Sequence, residues 1–134
     1  MQKFHSQGEQ HISSILKKEH IKYEQEKQFK DLYNGLYRFD FFLPNFNVCI
    51  EVNGQQHYVY TPYFYTSKSD FLKAQERDRR KISYCLARGI NLYIIPYWEL
   101  ENIHTSRDIF KEEYLARSKF HNDEVYRLQK NETE

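Results

Sequence analysis

The sequence predicts an α/β (α+β) fold, a mixed central sheet flanked by helices in the order α-β-β-β-α-β-α. Three observations carry this. Residues 7–20 and about 70–88 repeat apolar side chains at helical spacing. Residues 36–53 contain two aromatic and β-branched runs around Pro44-Asn45-Phe46-Asn47. Ile90-Asn91-Leu92-Tyr93-Ile94-Ile95 reads as a buried strand ended by Pro96.

Ser6-Gln7-Gly8-Glu9 has the form of a capping box, and Ile12, Ile15 and Leu16 follow at helical spacing. A first helix is therefore expected over 7–20. Ile21, Tyr23, Gln25, Lys27 and Phe29 alternate with polar neighbours and predict a first strand. Asn34-Gly35 predicts a turn. Leu36–Leu43 and Val48–Asn53 then form a hairpin, and Gly54 ends it. Tyr58–Ser69 is an aromatic, proline-containing loop. Ser69 or Asp70 is the expected cap of a long helix with Phe71, Ile82, Cys85 and Leu86 as its buried stripe, and Gly89 stops it. From Tyr97 to about Phe120 the chain is expected to be helical, and the polar tail over 121–134 either continues a helix or frays.

At 134 residues the chain suits a single domain over 1–134, and its 12 Tyr and 10 Phe supply a large aromatic burial payload. Cys49 and Cys85, the two cysteines, lie in apolar runs and read as reduced core residues. No apolar run reaches membrane-spanning length. Met1-Gln2-Lys3-Phe4-His5 lacks the apolar core of a signal peptide, so an intracellular, cytoplasmic location is expected. Net charge is +1, but Lys68–Arg88 holds seven Lys/Arg against three Asp/Glu, enough for a local phosphate-binding face. Glycine is too scarce for a phosphate loop, so no nucleotide cofactor is expected. No CxxC or HExxH pattern suggests zinc.

Strand alternation puts Tyr37, Phe39, Phe41 and Leu43 on one face of the hairpin's first strand and Arg38, Asp40 and Phe42 on the other. A tight turn at Asn45-Phe46 pairs Leu43 with Val48, and counting back sets Asp40 opposite Glu51. Like charges directly opposed on a sheet destabilise it. A bound Mg²⁺, which favours carboxylate oxygen, would compensate. The other explanation is that Arg38 or a helix residue neutralises one carboxylate.

Arg38-Phe39-Asp40-Phe41-Phe42-Leu43-Pro44, followed by Ile50-Glu51-Val52-Asn53-Gly54-Gln55-Gln56-His57, resembles the PD-(D/E)XK nuclease superfamily. The look is nearest to its very-short-patch-repair-like and phage homing-type branch, over roughly Gly8 to Trp98. The resemblance implies a restriction-endonuclease-like core and a phage- or virus-encoded, Mg²⁺- or Mn²⁺-dependent endonuclease acting on DNA. It implies metal ligation by Asp40, Glu51 and the Val52 carbonyl, with Glu9 as the first-helix acid. Asn53 departs from the pattern, because the superfamily often has lysine there. Gln56, His57 and Lys81 are candidates for that role, and Asp78 with Gln75 lies along the same inward helix side.

Arg38, Tyr58, Lys68, Arg77, Arg79, Arg80 and Arg88 are candidate DNA contacts, and Tyr60, Tyr63, Phe64 and Tyr65 extend the aromatic loop beside Tyr58. A homodimer is a candidate assembly. A non-catalytic DNA-binding or protein-interaction module and a Holliday-junction-type resolvase stand as alternatives. His5, His11, His20, His104 and His121 show no cluster spacing and read as surface residues.

Overall fold

Ser6 starts the first helix as its sequence demands. The Ser6 hydroxyl accepts the Glu9 N–H at 3.1 Å, and Glu9 Oε2 accepts the Ser6 N–H at 3.2 Å. The computed structural model describes residues 6–133. Helix α1 covers Gln7–Lys18 and buries Ile12, Ile15 and Leu16. Strands β1 (Glu24–Gln28), β2 (Arg38–Leu43), β3 (Val48–Asn53) and β4 (Asn91–Pro96) form one sheet in that order. β1, β2 and β3 run antiparallel, and β4 lies parallel to β3. Helix α2 (Lys68–Arg88) makes the crossover between β3 and β4.

The turns follow local chemistry. Tyr33, Asn34 and Gly35 take positive φ between β1 and β2, and Asn47 does so at the hairpin end. These are left-handed positions that Asn and Gly tolerate best. The Asn47 carbonyl accepts the Asn91 N–H at 3.2 Å, and its side chain donates to the Gly89 carbonyl at 3.2 Å. The hairpin tip is thereby tied to the end of α2, where Gly89 closes the helix at φ 70°.

Two cores sandwich the sheet. On one face Phe41, Leu43, Val48, Ile50 and Ile95 pack with α1 and with Ile103, Ile109 and Tyr114. On the other, Phe39, Cys49, Leu92 and Ile94 pack with Ile82 and Cys85 of α2. Cys49 and Cys85 are buried and free.

Several expectations change. β1 is shorter than Ile21–Phe29, and Glu26 interrupts its regular backbone at φ 54°. The cap of α2 is Ser67, which accepts the Asp70 N–H at 3.1 Å. Leu86 is 45% exposed and outside the buried stripe, because the core needs only Phe71, Ile82 and Cys85 along this helix. Tyr37 and Phe39 do not share a face with Phe41 and Leu43; the first two join the α2 core and the last two the α1 core. The alternation therefore breaks at Asp40.

The single helix expected from Tyr97 to Phe120 is absent. In its place come a 3₁₀ segment at Tyr97–Asn102, a short helix α3 at Ser106–Ile109 and a 3₁₀ turn at Glu112–Tyr114. Tertiary anchors overrule periodicity here. Ile103, Ile109, Tyr114 and Ala116 are buried one after another, and the Ala116 N–H donates to the Leu92 carbonyl at 2.8 Å. The polar tail takes the helical of its two expected forms, as helix α4 (His121–Thr133). His121 is 7% exposed rather than on the surface, and His5 lies outside the described residues. No helix among the described residues is long and apolar enough to cross a membrane.

Candidate active site

The β2–β3 ladder runs through Leu43–Val48, Phe42–Cys49 and Phe41–Ile50. One step further, where counting sets Asp40 against Glu51, side chains replace the backbone pairing. The Val52 N–H donates to Asp40 Oδ2 at 2.7 Å, and the Asp40 N–H approaches Glu51 Oε2 at 3.4 Å. Each carboxylate takes a backbone donor from the opposite strand, so the two strands fork around the pair.

A third carboxylate arrives from α1. Glu9 stands within hydrogen-bonding reach of Asp40 and adds to the upward push on its carboxyl, while it also caps the helix. Gly8 permits this approach. A Cβ there would stand 2.8 Å from Val52 Cγ1 and 3.0 Å from Leu100 Cδ1. Only a glycine lets the first turn of α1 lie this close to β3.

Burial, reinforced by the neighbouring Glu51 carboxylate, holds the Asp40 carboxyl well above the usual carboxylate range. The cation in the group is Lys81 of α2. Its ammonium forms an ion pair with Glu51 and sits 4.8 Å from the Phe39 ring centroid. Burial lowers its proton affinity, but Glu51, Asp40 and Asp78 outweigh that and raise the pKa above the lysine value. The side chains of Lys81 and Glu51 are only 12% and 10% exposed.

Gln56 and His57, expected alongside Lys81 as candidates for one role, do not contact Glu51 in this way. His57 Nδ1 is 2.7 Å from Asp78 Oδ2, and Asp78 also adds to the negative charge around Lys81. Gln56 packs its side chain against Gly54, and its carbonyl accepts the Tyr65 hydroxyl at 3.0 Å. Asn53 is buried on the α2 side of β3. It lines a small gap with Glu51, Asp78, Lys81 and Asn122. Val52 enters the site through its N–H.

Lys81 also borders an open cleft of about 570 Å³, lined by Tyr37, Arg38, His57, Lys73, Arg77 and Arg80 among others. Five cations face one carboxylate, Asp78, across it. Arg38, Arg77 and Arg80 were expected as backbone contacts; Lys73 was not. Its signal was available, since Lys73, Arg77, Arg80 and Lys81 recur at four- and three-residue helical spacing. The Tyr37 hydroxyl accepts from Arg80 Nη1 at 3.1 Å, which holds that guanidinium at the cleft edge.

The remaining expected DNA contacts are not brought to this cleft. Arg79 is engaged by Asp123 at 2.9 Å. Arg88 pairs with Asp31 at the far end of α2. Lys68 is exposed at the helix start. Tyr58 is 7% exposed. Its ring contacts Trp98 at 5.0 Å between centroids and stacks with Tyr126 at 5.9 Å, so it anchors the loop instead of presenting a surface. Tyr60 and Tyr65 lie against Phe71, while Tyr63 is 88% exposed.

Among the described residues, no group of three or more His, Cys, Asp or Glu is already disposed around a metal position. The carboxylates are turned toward one another and toward Lys81.

No family model matches the chain, and no solved structure matches it. Over 58 residues it is 34% identical to "Uncharacterized protein 033L" of Invertebrate iridescent virus 3, covering 43% of this chain and 30% of that protein. The same 34% over 58 residues holds for "Uncharacterized protein 307L" of Invertebrate iridescent virus 6, covering 43% of this chain and 29% of that protein. The matched segment spans less than a third of the length of either relative.

Proposed function

We propose that this chain is a metal-dependent DNA endonuclease of the PD-(D/E)XK type, with a restriction-endonuclease-like core. The observation that carries the reading is the convergence of Asp40, Glu51 and Lys81 beside the cleft lined by Arg38, Lys73, Arg77 and Arg80.

By chemistry the carboxylates suit a hard divalent cation such as Mg²⁺ or Mn²⁺, and holding one would require them to turn from one another and from Lys81. Asp40 and Glu51 would hold it, with Glu9 as a third oxygen donor, and the Val52 carbonyl is next along the chain. Burial and the neighbouring Glu51 carboxylate both push the Asp40 pKa up, and a bound cation would relieve the like-charge part of that strain. A bound divalent ion supplies water activation and charge stabilisation at the scissile phosphate.

The protein's own groups do the rest. Arg38, Lys73, Arg77 and Arg80 bind backbone phosphates, which fixes position without reading sequence. Lys81 offers a buried ammonium that orients a water or steadies phosphate charge. It supplies the positive charge that Asn53 cannot. Asp78 holds the His57 imidazole at the cleft wall, within reach of a bound backbone.

A cleavage assay on supercoiled plasmid with Mg²⁺ or Mn²⁺ tests the reading. Wild type nicks or linearises the plasmid. Unchanged cutting by Asp40→Ala and Glu51→Ala would sink it. One observation favours a second reading, a DNA-binding module without catalysis: Lys81 already neutralises Glu51. DNA binding that persists in EDTA, with no cutting under either metal, would select it.

A further inference from the structure

We propose that a second cleft on α2 binds an unpaired nucleobase, so that the substrate is DNA with single-stranded character beside the cutting site. This rests on the reading that the Arg38–Lys81 cleft tracks a DNA backbone. The second cleft measures about 530 Å³, within the roughly 300–1,000 Å³ range of small-ligand sites. Its walls include the rings of Tyr33, Tyr84 and Phe120 and the cations Arg79, Arg80 and Lys119; Glu76 pairs with Arg79 and Arg80, Asp123 also holds Arg79, and Lys119 is the cation left to meet a phosphate.

The rings and cations are already coupled. Arg80 lies 5.1 Å from the Tyr33 centroid, and Arg79 and Lys119 lie 5.5 Å and 5.1 Å from the Phe120 centroid. Tyr33 is 53% and Phe120 46% exposed, yet both line this concave site. An aromatic face beside fixed cations is the arrangement that stacks a base and holds its phosphate. A paired base has both faces covered by its neighbours in the duplex. Only an unpaired base offers a face to Phe120 or Tyr33.

Arg80 joins the two clefts, because it lines both. A strand whose phosphates follow Arg77 and Arg80 in the first cleft therefore reaches the rings of the second. Nothing in the Asp40–Glu51–Lys81 group requires that second cleft, so it bears on which DNA is bound and not on the chemistry of cutting.

Fluorescence polarisation in EDTA, at fixed salt, separates this proposal from the nuclease reading. The ligands are a labelled duplex with a short single-stranded overhang, the same molecule with abasic overhang positions, and the blunt duplex. Wild type is expected to bind the base-bearing overhang about tenfold more tightly than the abasic one. Phe120→Ala and Tyr33→Ala abolish that difference while keeping the abasic affinity. Phe120→Leu, which retains bulk without the ring, abolishes it too. Arg77→Ala weakens both overhangs equally.

Equal wild-type affinity for the two overhangs, alongside good binding of blunt duplex, overturns the base pocket and leaves the nuclease reading standing. A preference retained by all three ring variants overturns it as well. A solution dimer abolished by Phe120→Ala would assign the cleft to a second copy and overturn it. Failure to bind any of the oligonucleotides overturns the base pocket, and the plasmid assay with metal decides the nuclease reading by itself.

Discussion

Lys81 of α2 forms a buried ion pair with Glu51 of β3, and Glu51 in turn lies against the N–H of Asp40. One long-range contact thus sets the charge balance of the whole carboxylate group.

Removing that cation strands a buried carboxylate beside another. Lys81→Met is expected to cost about 3–5 kcal/mol of stability, the usual cost of breaking a buried pair from one side. Urea unfolding with and without Mg²⁺ checks this, and added Mg²⁺ recovers part of the loss. Plasmid cutting by Lys81→Met falls by about a hundredfold or more. Near-normal stability and cutting would show that the pair is dispensable.

The raised Asp40 pKa makes metal-free stability pH-dependent. The unfolded carboxyl releases its proton near the ordinary aspartate value of 3.8, while the folded one keeps it to higher pH. Between those two points the folded state holds more protons, so stability is fully present below the unfolded pKa and is lost as pH rises through the folded pKa. Thermal melts of the EDTA-treated protein should therefore show this loss, and Asp40→Asn should remove that component. The same linkage predicts that divalent-ion binding releases a proton and tightens as pH rises. Calorimetry in buffers of different ionisation enthalpy measures that release.

Gly8 controls whether Glu9 meets Asp40. Gly8→Ala gains about 1 kcal/mol of helix propensity, but its Cβ would press on Val52 and Leu100, and overpacking costs about 1–3 kcal/mol. A net loss of about 1 kcal/mol is expected, with a weaker apparent Mn²⁺ affinity as α1 is pushed off β3. Glu9→Gln should weaken Mn²⁺ in the same way with a smaller effect on stability. Mn²⁺ titration followed by electron paramagnetic resonance, paired with melts, separates the two.

The cleft cations divide into those that face it and those that do not. Lys73→Ala and Arg77→Ala should each weaken duplex binding across all sequences and reduce the salt slope by about one. Arg88→Ala, at a residue engaged by Asp31 at the far end of the helix, should change neither. Binding isotherms over a salt series decide the matter.

Part of the short-range chemistry was legible in the sequence. The Ser6–Glu9 cap, the Gly89 stop and the Leu43–Val48 register each depend on a few adjacent residues. So does the count that sets Asp40 beside Glu51, because a strand's period of two carries register along the chain. Tertiary packing decided what local period cannot encode. It moved Phe39 to the α2 side and forked β2 from β3 at Asp40. It broke residues 97–120 into anchored turns. It also chose Lys81 over Gln56 and His57 as the partner of Glu51, gave His57 to Asp78, and brought Glu9 to Asp40. Those pairs join different elements, and their distances are set by how closely α1 and α2 pack against the sheet.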